Sequence, residues 1–406
     1  MAVGLSPPEK LLPVSGLKLG VHAAGLRYRD RPDLVLIEMA PGTHTAVVFT
    51  KNRFAAAPVI LAREHLRQSQ TRALLVNAGQ ANAGTGAAGI EVARQCCQAV
   101  AGELGCATTE VLPFSTGIIG DAPPLEGVRA ALPQCISVSQ EDTWLEAARG
   151  IMTTDTVAKG VSETVMIHGV AVTITGIAKG SGMIRPNMAT MLAFVGTDAE
   201  IGQTLLQESL VSAVDRSFNR ITVDGDTSTN DACVLMATGQ SKADPITSKD
   251  GDAYQAWFGA LQSVLLQLAQ AIVRDGEGAT KFVSIVVERG KTEADCLEVA
   301  YTVAHSPLCK TALFASDPNW GRFLAAVGRA AVDELDVEKV SLFINDVCVL
   351  DHGDPASDYT EERGQQAMAP EEITLRIDLN AGKESATVWT TDLSNEYIRI
   401  NAEYRS

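Results

Sequence analysis

The sequence predicts an α+β protein, a layered α/β sandwich of mixed sheets and helices, and two observations carry that prediction. Residues 163–167 and 170–177 are β-rich runs separated only by His168-Gly169, a two-residue turn of the chemistry that closes antiparallel hairpins. Residues 254–273 form a long amphipathic helix, with Trp257, Leu261, Val264, Leu265, Leu268 and Ile272 in register. Hairpin strands and helices without strict βαβ alternation put α and β elements in separate layers.

The other elements follow in chain order. Short apolar stretches at 34–39, 45–50 and 73–77 read as strands. Residues 90–104 have helical spacing, with Val92, Cys96, Val100 and Leu104 on one face. A strand at 111–114 runs into Ser115-Thr116-Gly117-Ile118-Ile119-Gly120. Beyond the hairpin, Lys179 to Asn187 is a loop by its Gly and Pro content, followed by a β-type run at 190–198. A helix starts after Asp198 and buries Leu205, Leu206, Leu210 and Val214. In the second half, 282–287, 340–345, 373–379 and 387–393 read as strands, and the polar stretch 351–370 as an exposed loop.

At 406 residues the chain exceeds what one hydrophobic core usually fills. Its 49 acidic and 33 basic residues give a net charge of −16, which argues against a general nucleic-acid binder. None of the eight cysteines forms a C-x-x-C pair or a zinc-spaced cluster, so they read as reduced core residues. The first residues lack a basic segment followed by an apolar run, and the 257–273 helix, interrupted by Gln262, Gln267 and Gln270, is too short and polar to span a bilayer. A soluble, cytoplasmic protein is expected, with no membrane partner.

Residues 176–198 hold the most chemical information. A loop punctuated by Gly and Pro delivers Met188-Ala189-Thr190 into a β-branched and apolar run. Thr190 at such a junction suits self-cleavage: its hydroxyl attacks the Ala189 carbonyl, and hydrolysis of the resulting ester leaves Thr190 as a new N-terminus. The freed α-amine, with an ordinary pKa near ~8, is a base for its own hydroxyl.

One Ala-Thr pair cannot carry that reading; the surrounding segments do. Lys179 through Leu192 resembles the processing motif of the ornithine acetyltransferase (glutamate N-acetyltransferase) family. Ser115 to Gly120 resembles that family's oxyanion-hole segment, and Met152-Thr153-Thr154-Asp155-Thr156 its next landmark. Asp224 to Asp231, Gly276 to Lys281, Ser316 to Arg322 and the tail Asn401 to Ser406 fit in the same order.

The resemblance implies ping-pong acetyl transfer from N2-acetylornithine to glutamate in arginine biosynthesis, through an acetyl ester on Thr190. It implies catalytic roles for Thr190, Thr116 and Gly117, the latter two as oxyanion donors, and cleavage between Ala189 and Thr190. It makes Thr153, Lys179, Glu277, Asn401 and Ser406, with Thr190, the substrate-binding residues: Lys179 for an α-carboxylate and Glu277 for an amino group. Residues 1–189 would be an α chain and 190–406 a β chain, two interlocked chains assembling as an α2β2 heterotetramer or larger. No metal or cofactor is expected, and the residues leave open whether acetyl-CoA is a further donor.

Other motifs lose their first meaning on inspection. An EF-hand beginning at Asp224 needs Gly and Glu where Thr229 and Leu235 stand. Lys179-Gly180-Ser181-Gly182 lacks either phosphate-loop spacing. The six histidines are scattered, which agrees with a base supplied by the α-amine. Two rival functions are a self-processing amidase or aminopeptidase, which would pass the acyl group to water, and a non-catalytic metabolite-binding protein.

Overall fold

The computed structural model describes residues 2–27, 29–185 and 191–403. Ala189, Thr190 and Ser406 therefore lie outside the described residues. The chain divides into a larger unit, Pro7–Asn219 with Asp226–Ile272, and a smaller one, Met1–Ser6 with Arg220–Gly225 and Val273–Ser406.

In the larger unit the order is β1 (Leu17–His22), β2 (Leu34–Met39), β3 (His44–Phe49), α1 (Ala57–Gln68), β4 (Ala73–Gln80), α2 (Gly86–Leu104), β5 (Val111–Ile118), α3 (Leu125–Ser137) and α4 (Trp144–Gly150). Then come β6 (Lys159–Ile167), β7 (Val170–Lys179), β8 (Leu192–Thr197), α5 (Gln203–Asp215), β9 (Ala232–Ala237) and α6 (Asp252–Arg274). One sheet has the order β1-β2-β4-β5, the other β3-β9-β8-β7-β6.

Strand alternation explains why two sheets stack and why helices cover them. Val35 and Ile37 of β2, with Leu74 and Val76 of β4, face Phe194, Val234 and Met236 of the second sheet in one apolar core. Phe114 and Phe194 meet edge to face across it, with centroids 5.3 Å apart. The intervening residues, Leu34, Leu36 and Leu75, point the other way, against Cys97 and Val100 of α2 and Leu132 of α3. On the far side of the second sheet, a Cβ at Gly176 would touch Val264 and Leu268 of α6. The layers run helix, sheet, sheet, helix, as the sandwich prediction requires.

The hairpin β6–β7 forms as expected. His168 (φ 47°) and Gly169 (φ 86°) are both left-handed, which matches the right-handed twist of the strands. The helix α6 needs a correction. It runs 23 residues with a mean hydropathy of 1.4 in its most apolar window, so by length and composition alone it could cross a membrane. Instead Trp257, Leu261, Val264, Leu265, Leu268 and Ile272 are wholly buried, while Gln267 lies on the exposed face. It is a core helix, and the glutamines mark its outer side.

The smaller unit is a sheet of order β13-β12-β11-β14-β10-β15. Its strands are β10 (Phe282–Gly290), β11 (Ser341–Ile344), β12 (Val347–Asp351), β13 (Asp354–Pro355), β14 (Glu372–Asp378) and β15 (Glu384–Thr391). Its helices are α7 (Glu293–Ala304), α8 (Pro307–Phe314), α9 (Trp320–Gly328), α10 (Glu361–Met368) and α11 (Asn395–Ala402). Val283, Ile285 and Val287 of β10 pack on Val299 and Val303 of α7 and on Phe323 of α9. The predicted loop at 351–370 is not one: it contains β13 and α10. Thr360 caps α10 by accepting from Arg363 N, and Ala367 and Met368 anchor its single buried stripe. A helix this polar and short hides from periodicity.

All eight cysteines are free, six buried and Cys106 and Cys348 half-buried. Burial pushes Cys96 up to about 11 and Cys135 up to about 12, so these thiols are inert packing groups.

Candidate active site

Residues 115–117 do not follow the strand predicted at 111–114 but belong to it. β5 continues to Ile118, paired in parallel with β4 so that Ala78 faces Thr116 and Gly79 faces Gly117. Gly117 has φ 127°, and a Cβ there would stand 2.2 Å from the carbonyl carbon of Gly79. Only glycine permits this approach of two backbones.

Lys179, the last residue of β7, donates from Nζ to Thr116 Oγ1 at 3.0 Å. A threonine hydroxyl whose oxygen accepts from an ammonium keeps its own proton to donate elsewhere. Thr116 is thus oriented as a hydrogen-bond donor beside Gly117, the arrangement a developing oxyanion needs.

Asp155, to which the sequence assigns no role, anchors the residue that follows Lys179. Asp155 is wholly buried and pairs with equally buried Lys159 at 2.6 Å. Its Oδ1 also accepts from Gly180 N at 2.7 Å and its Oδ2 from Thr153 N at 3.0 Å. Burial raises this carboxyl, but the charges of Lys159 and Lys179 and the hydrogen bonds from Lys159 and Gly180 outweigh it and hold Asp155 well below the usual carboxylate range. One acid thus ties the backbone of Thr153 to that of Gly180, the neighbour of Lys179. Thr154 and Ser181 add a hydroxyl–hydroxyl bond of 2.7 Å across the same gap.

Asn230 was also missed. Its Nδ2 donates to Ala81 O at 2.6 Å and Ser115 O at 2.9 Å, clamping the strand that carries Thr116 and Gly117. The Asp224–Asp231 segment is therefore a supporting loop, and Leu235 lies within β9, not at a calcium ligand position.

In the smaller unit, Glu277 is 9% exposed, so it is not a solvated loop acid. Asn401 of α11 donates from Nδ2 to Glu277 Oε2 at 2.8 Å, which joins two of the expected residues. The flanking glycines are steric necessities: a Cβ at Gly278 would stand 2.5 Å from Tyr397 N, and one at Gly276 2.9 Å from Thr391 Cγ2. Asp392 holds the end of this loop, accepting from Thr280 N at 2.8 Å and Lys281 N at 3.0 Å. Lys310, unremarked in the sequence, is 4% exposed and donates to Thr390 Oγ1 at 3.2 Å. Burial pushes it down to about 8, against the opposing charges of Asp392 and Asp224.

The ArgJ family matches over residues 18–406. The chain belongs to the ArgJ family. It is 53% identical over its full length to the arginine biosynthesis bifunctional protein ArgJ of Pseudomonas syringae pv. tomato, which it also covers completely. It is 54% identical, again with 100% of each chain covered, to the protein of the same name from Psychrobacter arcticus. The crystal structure of ArgJ from Bacillus halodurans is 35% identical over 52% of this chain and 97% of that one, with a TM-score of 0.49. The expectation of an acetyltransferase in arginine biosynthesis is met.

Proposed function

We propose that the chain cuts itself between Ala189 and Thr190, and that Thr190 then carries an acetyl group from N2-acetylornithine to glutamate. The observation that carries this reading is the pairing of Lys179 with Leu192 across β7 and β8, with Lys179 on the Thr116 hydroxyl. The segment containing Ala189–Thr190 thus begins and ends at one place in the sheet, beside the oxyanion donors.

The α-amine of Thr190 takes the Oγ proton as Oγ adds to the acetyl carbon. Thr116 Oγ–H and Gly117 N–H stabilise the oxyanion. The C–N bond then breaks, the amine returns the proton to the departing nitrogen, and ornithine leaves. Glutamate repeats the sequence in reverse, giving N-acetylglutamate. Lys179 serves the substrate α-carboxylate and Glu277 a substrate amino group, with Thr153, Asn401 and Ser406 completing the contacts. Acetyl-CoA is a second donor for the same ester in this scheme.

A cut here separates 1–189 from 190–406 without separating the sheet. β7 stays paired with β8, and β3 with β9, so the two chains remain interlocked. We assign the assembly as α2β2 or larger and the location as the cytoplasm.

The test is an assay of ornithine release from N2-acetylornithine. Release that requires glutamate supports transfer, whereas equal release in its absence would make the protein a hydrolase. Replacing glutamate's donor by acetyl-CoA tests the second donor. Gly117→Ala is expected to slow transfer by about 10²–10³, because the added methyl drives β5 from β4 and displaces one oxyanion donor; kcat of the purified variant checks it.

A further inference from the structure

None of the residues of α11 is fully buried. A helix of eight residues is not stable alone in water, so contacts with the rest of the smaller unit must hold it. They come from positions 394, 397 and 401, the spacing that brings side chains to one side of a helix. Ser394 caps the helix, its Oγ accepting from Tyr397 N at 3.2 Å and donating to Gly278 O at 2.6 Å. Tyr397 Oη donates to Asp224 Oδ2 at 3.2 Å. Asn401 Nδ2 donates to Glu277 Oε2 at 2.8 Å and to Tyr397 O at 3.0 Å. The inner face of α11 is thus a row of polar contacts to Asp224, Glu277 and Gly278 rather than an apolar stripe.

Both ends of these contacts are anchored. The charge of buried Lys310 acts on Asp224 and on Asp392, the acid that holds Thr280 N and Lys281 N at the end of the Glu277 loop. Glu277 itself is 9% exposed, and Asn401 binds only its Oε2; Oε1 has no bond among the described residues.

We propose that Tyr397 and Asp224 are positioning residues for the donor: their bond sets α11 so that Asn401 holds one oxygen of Glu277 and leaves the other to the side-chain ammonium of N2-acetylornithine. This rests on the assignment of Glu277 and Asn401 to substrate binding above. The choice of amine follows from the chemistry. The nitrogen that exchanges the acetyl group is an amide in the donor and must be a neutral amine to attack in the acceptor. A carboxylate beside it would favour the ammonium and oppose that attack. The side-chain amine of ornithine does not react and stays charged, with an ordinary alkylamine pKa near ~10. Glutamate has no counterpart to it.

In ping-pong kinetics the kcat/KM of each substrate reports its own half-reaction, which separates a donor contact from a loss of folded enzyme. Tyr397→Phe in the full chain removes one oxygen. It should lower kcat/KM for N2-acetylornithine about tenfold, through KM, with kcat and the kcat/KM for glutamate unchanged. Equal falls for both substrates, or no fall for the donor, would overturn the proposal. Glu277→Gln, measured alongside, should lower the donor's kcat/KM at least as far. If it does so while Tyr397→Phe does not, Tyr397 and Asp224 lose their role and Glu277 keeps its own. If Glu277→Gln leaves the donor's kcat/KM as in wild type, the binding assignment and the role of Tyr397 fall together.

Discussion

Thr190→Ala is expected to remain one chain of 42.9 kDa and to lose acetyl transfer by a factor on the order of 10⁴–10⁶. In the proposed mechanism, alanine removes the oxygen that attacks the Ala189 carbonyl, so the peptide bond survives. It also removes the oxygen that accepts the acetyl group, and an uncut chain has no α-amine at this position to act as base. The three losses coincide because one residue supplies all of them. Residual turnover would come from the oxyanion donors Thr116 and Gly117 alone. Steady-state transfer and a denaturing gel on the same preparation check both halves of the expectation.

Asp155→Asn should be the most destabilising single change at the site. It leaves Lys159, wholly buried, without its counter-charge, and unpairing one partner of a buried ion pair costs about 3–5 kcal/mol. The side chain also holds Gly180 N and Thr153 N, and both lose that anchor. A denaturant midpoint measures the loss. Asp155→Leu combined with Lys159→Met should cost less than either change alone, because no buried charge is then left unpaired. The pH dependence has a definite sign. The folded-state carboxyl is held below its ordinary value near 3.8, so its stabilisation is fully present above that value and is lost as pH falls toward the folded-state pKa. Wild type should lose this contribution below about pH 4, and the Asp155→Asn curve should lack that part of the acid limb.

The sequence made one kind of information easy to read. Thr116, Gly117 and Lys179 stood in short segments of unusual composition, and Lys179 does reach the Thr116 hydroxyl, one residue before Gly117. The hairpin turn at His168-Gly169 was legible because left-handed backbone demands few residue types. What stayed hidden were buried polar groups. Asp155, Asn230, Asp231 and Lys310 look in sequence like surface residues, yet all four are buried, Asn230 and Lys310 by partners from distant elements. The same reason hid α10, whose polar letters conceal two anchoring side chains, Ala367 and Met368. The apolar register of α6 was legible, and Trp257 to Ile272 do fill the core; only its length and apolarity were underrated. Periodicity reports one face of an element; burial of charge depends on what the rest of the chain brings to it.

The central claim is that one bond makes this enzyme, and the intact mass of freshly purified wild-type protein tests it most directly. Two polypeptides, one ending at Ala189 and one beginning at Thr190, are the expected result. A single uncut chain of 42.9 kDa in material that still transfers acetyl groups would contradict it.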